Sequence, residues 1–193
     1  MAPGRRLAPP ARATARRVAL RGQARLVQGG DRRLARAGTQ GRPKTGPSPV
    51  DRARTGSKHH VITDGAGIPL AVTLTGGNRH DVTQLLPLIE AIPPVRGRRG
   101  RPRRRPDSLY ADRAYDYDIY RDQIRARGIT PYIAQRGVEH GSGLGVHRWV
   151  AEQSIALLHW FRRLRIRWEI RDDIHEAFLS LACSIICYRR LIK

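Results

Sequence analysis

Carboxylates are scarce in this chain, where 16 Asp and Glu stand against 37 Lys and Arg, so the placed ones carry information. Asp112 follows the apolar run Leu109-Tyr110-Ala111 and precedes Arg113. That pattern reads as a strand ending on an acid, and the carboxyl ends of strands are where α/β sheets present ligands. Glu152 stands in a helical stretch, off its apolar stripe, with Arg148 one turn before it and His159 two turns after. Each acid alone has an ordinary structural reading. Asp112 could cap a helix, and Glu152 could pair with Arg148 for about 0.3–0.5 kcal/mol. Together they suit phosphoryl transfer. Acids from separate elements can hold two divalent ions, roughly 3.5–4 Å apart, that clamp the attacking and leaving oxygens. Mg2+ (or Mn2+) suits such hard oxygen ligands. A third acid is wanted. Asp31 lies between Gly29-Gly30 and Arg32-Arg33, which is no buried-strand pattern. Asp51 and Asp64 read as turn acids, and Asp116 and Asp118 as helix-start acids.

The elements that must position these residues begin near Ser57. His59 to Thr63 and Ile68 to Thr75 are apolar runs around the turn signal Asp64-Gly65-Ala66-Gly67, so a β-hairpin is expected. Asp81 is the expected N-cap of a helix with Leu85, Leu86, Leu88, Ile89 and Ile92 on its apolar face, stopped by Pro93-Pro94. Ser108 to Ala111 reads as a strand, Tyr117 to Arg127 as a helix closed by Gly128, and Ile129 to Ala134 as a strand. Val146 to Arg167 reads as one long helix with Val150, Ser154, Leu157, Phe161 and Leu164 on a stripe. Asp172-Asp173 opens a last helix, with Ile174, Phe178, Leu181 and Ile185 expected to face inward. This order suits one mixed sheet with helices packed on it.

The chain has 193 residues and a formal charge of +21. That surplus points to a polyanionic partner, most simply double-stranded DNA. No run approaches the roughly 18 apolar residues of a membrane span, and a cytoplasmic protein is expected. Cys183 and Cys187 read as core thiols rather than a disulfide scaffold or zinc site. Between Val95 and Pro106 stand Arg96, Arg98, Arg99, Arg101, Arg103, Arg104 and Arg105 with no acid. Arginine forks suit phosphate oxygens, so this loop is the expected DNA contact. Residues 1–56 hold 14 Lys or Arg, no aromatic residue and no Ile. Residues 1–44 therefore read as a disordered basic arm, and 45–193 as the domain.

Several strings resemble the DDE transposases of bacterial insertion sequences, which have an RNase H-like fold. They include Thr45-Gly46-Pro47-Ser48-Pro49-Val50-Asp51-Arg52, Gly56-Ser57-Lys58-His59-His60 and Leu74-Thr75-Gly76-Gly77-Asn78-Arg79-His80-Asp81. Leu109-Tyr110-Ala111-Asp112-Arg113-Ala114-Tyr115-Asp116, His147-Arg148-Trp149-Val150-Ala151-Glu152 and Leu157-Leu158-His159-Trp160-Phe161-Arg162-Arg163-Leu164 follow in the same order. The resemblance implies that Asp112 is the second catalytic Asp, Glu152 the catalytic Glu and Arg148 its companion. It also implies hydrolysis at the element's ends followed by strand transfer, and a homodimer is a further partner to test.

Ala114 and Gln153-Ser154 depart mildly from the family pattern. The first catalytic Asp departs seriously, because the family carries it on the first strand of the sheet and nothing comparable precedes Thr45 here. Read in the next frame, the codons for Arg32 through Arg42 admit Asp-Gly-Ser-His-Val-Arg-Ala-Leu-Lys-Gly, close to the family's segment. The expectation is thus an RNase H-like domain whose first strand is missing, with residues up to Arg42 out of frame and catalysis impaired. A DNA-binding remnant without catalysis and an RNase H-like nuclease are the alternatives.

Overall fold

The computed structural model describes residues 23–30, 43–49, 55–95, 102–138 and 145–192. Six strands are present among them: β1 (Gln23–Gly30), β2 (Gly46–Pro47), β3 (Thr55–Asp64), β4 (Pro69–Gly76), β5 (Ser108–Ala111) and β6 (Thr130–Ile133). The helices are α1 (Leu85–Glu90), α2 (Asp118–Ala126), α3 (Gly145–His159), α4 (Arg162–Arg165) and α5 (Asp172–Leu191). The sheet runs β4-β3-β1-β5-β6, with β2 paired to the start of β3. β3 lies antiparallel to both β1 and β4, whereas β1, β5 and β6 run parallel. This is the RNase H-like mixed α/β sheet with flanking helices.

The expectation that residues 1–44 supply no strand is corrected here. β1 sits at the centre of the sheet, where Ala24 pairs with both Asp64 of β3 and Leu109 of β5. Parallel strands such as β1 and β5 lie in sheets covered on both faces, and Gln23–Gly30 holds enough apolar and small residues for a central place.

The alternation of β3 builds two cores. Ile62 faces one side, with Leu85, Leu88, Ile89, Leu109, Tyr115 and Ile124. Its neighbour Val61 faces the other, with Leu158, Leu164, Leu179, Ala182 and Ile186. Successive strand residues point to opposite faces, so one dipeptide anchors both helical layers. The hairpin forms as expected. Gly67 at its turn has φ +80, and a Cβ there would lie 3.3 Å from Val150 Cγ1 and 3.4 Å from Ser154 Oγ. The turn therefore needs glycine both for its backbone and for the close approach of α3.

Other expectations change in detail. Asp81 is not an N-cap, since its carboxylate pairs with Lys58 Nζ at 3.0 Å and a 3-10 turn precedes α1. The long helix breaks after His159, where Phe161 turns extended and lets Leu164 reach the core beside Val61. On α5 the buried stripe is His175, Leu179, Ala182, Cys183 and Ile186, while Ile174 and Leu181 are exposed. The helix is apolar on two stripes, and the sheet covers the neighbour of the one expected. Gly128, at φ +74, closes α2 as read from sequence. Cys183 and Cys187 are free thiols, and burial pushes Cys183 up to about 12. No helix among the described residues is long and apolar enough to cross a membrane.

A buried polar cluster ties the start of the domain to its last helix. Arg167, 3 % exposed, donates to Pro43 O at 2.9 Å, Thr45 Oγ1 at 3.0 Å and Ser57 Oγ at 2.9 Å. Beside it His59 and His175 stack, with their Nε2 atoms 3.0 Å apart, and His175 Nδ1 lies 3.1 Å from Glu169 Oε2. The network assigns the protons. A carboxylate accepts, so His175 Nδ1 carries a hydrogen; its Nε2 is then bare and accepts from His59 Nε2. His175 must be neutral for this to hold, and burial disfavours the charged form of His59 as well.

Candidate active site

Asp112 immediately follows β5, where the strand's pairing to β6 ends at Ala111. Its Oδ1 accepts from Ala114 N at 2.9 Å and caps the 3-10 turn Arg113–Tyr115. The capping reading thus holds for one oxygen of an exposed carboxylate. Arg25 pairs with Tyr110, so carrying the parallel register two residues further brings Val27 level with Asp112. Val27 also pairs with Val61 in the middle of β3. The central strand, Gln-Ala-Arg-Leu-Val-Gln-Gly-Gly, contains no acid. At about 3.3 Å per residue, Gly30 already lies ~10 Å along the strand beyond Val27. Asp31, Asp51 and the arginines Arg96, Arg98, Arg99 and Arg101 lie outside the described residues.

Glu152 and Arg148 are described as backbone positions of α3, one helical turn apart. α3 packs against β1, the strand shared with β5, so the helix and Asp112 flank the same central strand. Val150 and Ser154 are buried, and Ser154 Oγ donates to Gly67 O at 3.3 Å and to Val150 O at 2.9 Å. The register of α3 on the sheet is thereby fixed on either side of position 152.

Around Asp112 the structure adds groups to which sequence reading gave no role. Arg136 Nε donates to Arg113 O at 3.1 Å, its backbone N donates to Asp116 Oδ2 at 2.7 Å, and its guanidinium lies 4.3 Å over the Tyr117 ring. Tyr117 Oη meets His80 Nε2 at 2.8 Å, and Arg113 donates to Val138 O at 2.7 Å. Asp116 is not merely a helix-start acid. Burial pushes its pKa up, but the Arg136 amide and the Arg121 guanidinium win and hold it below the usual carboxylate range. Arg121 bonds both Asp116 and Ile133 O, which fixes the loop after β5 to the end of β6. Burial, with the charges of Asp81 and Asp112, raises the Tyr115 phenol well above its usual value. Asp81 and Asp112 thus act on one buried ring. The string Gly76 to Asp81 is what sequence offered for His80 and Asp81; nothing in it announced Arg136.

The arginine loop enters from the other end of the strand. Val95 and Arg103 form an antiparallel bridge at its base, and Arg103 pairs with Asp107 at 2.9 Å just before β5. Arg103, Arg104 and Arg105 are exposed. The loop base and Asp112 therefore sit at opposite ends of the four-residue β5.

As donors for a divalent ion, Asp112 and Glu152 are of the right chemical type. Among the described residues β1, which pairs with β5, adds no carboxylate to them. No group of three or more His, Cys, Asp or Glu among the described residues is arranged to hold a metal. The residues described do not fit a complete two-ion centre.

Residues 31–187 match the transposase DDE domain family. A putative transposase for insertion sequence element IS402 from Burkholderia cepacia is 58 % identical over 191 residues, covering 99 % of this chain and 90 % of that one. That alignment takes in the N-terminal segment. A piggyBac transposase synaptic complex with hairpin DNA has TM-score 0.47 at 8 % identity, and a simian T-cell lymphotropic virus intasome has 0.45 at 10 %. This chain covers 46 % of each of those two chains. The chain belongs to the transposase DDE domain family and is a DDE transposase of the insertion-sequence kind.

Proposed function

We propose that this protein binds double-stranded DNA through its basic surface and works on it at the Asp112 end of β5. In this reading Asp112 and Glu152 are the metal-holding acids, and Arg148 accompanies Glu152. When bound, divalent ions such as Mg2+ supply Lewis-acid stabilisation of the charge that develops on the transferred phosphate. Asp112 is pre-set for a ligand role by the Ala114 amide, which fixes one oxygen. Arg113 and Arg136 add positive charge beside it, suited to a phosphodiester. Arg96, Arg98, Arg99, Arg101, Arg103, Arg104 and Arg105 grip DNA away from the reacting bond.

One observation carries the reading and its limit. Asp112 follows β5, and the strand that pairs with β5 on one side, Gln23–Gly30, holds no acid. A site short of one carboxylate transfers strands weakly or not at all. The same observation favours the second reading, a DNA-binding transposase remnant without catalysis. An RNase H-like nuclease would differ by cleaving without joining.

The test is a strand-transfer assay with Mg2+, using DNA bearing the element's own ends. The chain as written should show little joining, Asp112→Asn none, and Val27→Asp a gain. Robust joining by the unaltered chain, abolished by Asp31→Asn, would show that Asp31 is the third ligand. It would also dispose of the impairment.

A further inference from the structure

Trp160 is 76 % exposed, more than any other large apolar side chain among the described residues. It stands on a fixed turn. Leu158 and Leu164 on either side of it are buried beside Val61, and Trp160 N and Phe161 N donate to Leu157 O and Leu158 O between α3 and α4. Rings of this size dominate the energetics of cores and interfaces, so one displayed on a held turn marks a contact surface. Arginines surround it. Arg162, Arg163 and Arg165 are exposed, and the half-exposed Trp168 follows them. Arg163 is taken, since it pairs with Glu169 at 2.8 Å and lies 5.2 Å over the Phe178 ring. No acid among the described residues pairs with Arg162 or Arg165, which stand three apart on one side of α4.

This surface lies at the Asp112 end of the sheet. Arg167, just past α4, donates to Ser57 near the start of β3. β3 runs antiparallel to β1, and β1 parallel to β5, so the start of β3 and the end of β5 share one end of the sheet. The base of the arginine loop stands at the other. Trp160 also comes two turns after Glu152, about 12 Å along α3. We propose that Trp160 stacks on an unpaired DNA base while Arg162 and Arg165 hold phosphates of the same strand, an inference that rests on the DNA reading above. Indole and guanidinium together are the chemistry of single-strand binding, because every base has a π-face and arginine forks take phosphate oxygens. The faces of paired bases are covered by their neighbours, so an indole reaches one only where a base is unpaired. The loop and this surface therefore take different DNA, duplex at one end of the sheet and an unpaired strand at the other. A cationic face is a poor seat for a second copy of a chain whose charge is +21.

The test is the fluorescence anisotropy of labelled DNA with the full chain, without Mg2+ and at one fixed salt concentration. A blunt duplex is compared with the same duplex carrying a short thymidine tail. The unaltered chain should bind the tailed DNA about tenfold more tightly. Trp160→Ala should equalise the two by weakening only the tailed DNA, and Trp160→Phe should keep most of the preference. Position 160 is exposed, so blunt-duplex affinity should not change, and it reports that the fold survives. Arg162→Gln with Arg165→Gln should lower the log–log salt slope on tailed DNA by about 1.4, at ~0.7 per phosphate, beyond any change on the blunt duplex. Equal binding of both DNAs by the unaltered chain overturns the proposal and leaves duplex binding standing. A tail preference that survives Trp160→Ala overturns it too, and if that variant changes molar mass in light scattering the ring belongs to a protein contact instead. Binding to neither DNA overturns this inference and the DNA reading together.

Discussion

Acidification should destabilise this protein well before its carboxylates titrate. Burial holds the His59 imidazole at about 3, aided by the charges of His175, His159, His60 and Arg167. Burial also lowers His60 to about 4, against an opposing pull from Asp81. In the unfolded chain both return to about 6.5. Between those values the unfolded chain binds protons that the folded chain refuses. The stabilisation from the neutral rings is therefore full above pH 6.5 and is lost as pH falls towards 4 and then 3. Each group contributes about 1.4 kcal/mol per pH unit over that window. At pH 5, about 1.5 units down, the two together cost roughly 4 kcal/mol, a large share of an ordinary total of 5–15 kcal/mol. His175, lowered chiefly by burial, acts in the same direction. Urea unfolding followed by the fluorescence of Trp149, Trp160 and Trp168 at pH 8 and pH 5 reads this difference. His60→Gln keeps a partner for Thr75, which lies 2.8 Å from the ring, and should remove about half of the pH dependence. A loss below about 1 kcal/mol, or an unchanged slope in His60→Gln, would refute the reasoning.

Three further outcomes are expected. Arg167→Met should leave the Pro43 carbonyl and the Ser57 hydroxyl short of their donor, costing about 3–5 kcal/mol and lowering Tm by roughly 6–20 °C in a thermal melt; a shift under about 2 °C would count against the buried network. Replacing Arg96, Arg98, Arg99, Arg101, Arg103, Arg104 and Arg105 with Gln should flatten the dependence of DNA binding on salt by up to about 6 in log–log slope. An unchanged slope would mean the loop is a solvated charge run. Exchanging Arg25 to Arg42 for the alternative-frame peptide should raise Tm and bring Mg2+-dependent strand transfer, whereas a lower Tm would favour the frame as written.

The alternation and turn chemistry of residues 57–77 made the hairpin legible from sequence, because each strand's neighbours are close in the chain. Asp112 was legible for the same reason: a short apolar run ending in an acid is a local pattern, and the structure keeps it at the end of β5. β1 was not legible. A central strand gains its stability from partners far away in sequence, β3 and β5, so the charges around Gln23–Gly30 hid it. On α5 the sequence offered two apolar stripes and could not rank them; the position of β4 and the depth of His175 decided which one is covered. Arg136 joined the Asp112 surroundings only because β6 lies parallel beside β5 and brings its carboxyl end to the same edge. Charge, local turns and the two marked acids are properties of the chain itself. Which faces are buried, and that the acid-free Gln23–Gly30 is the strand beside β5, follow from strand pairing and register, and only the folded sheet has them.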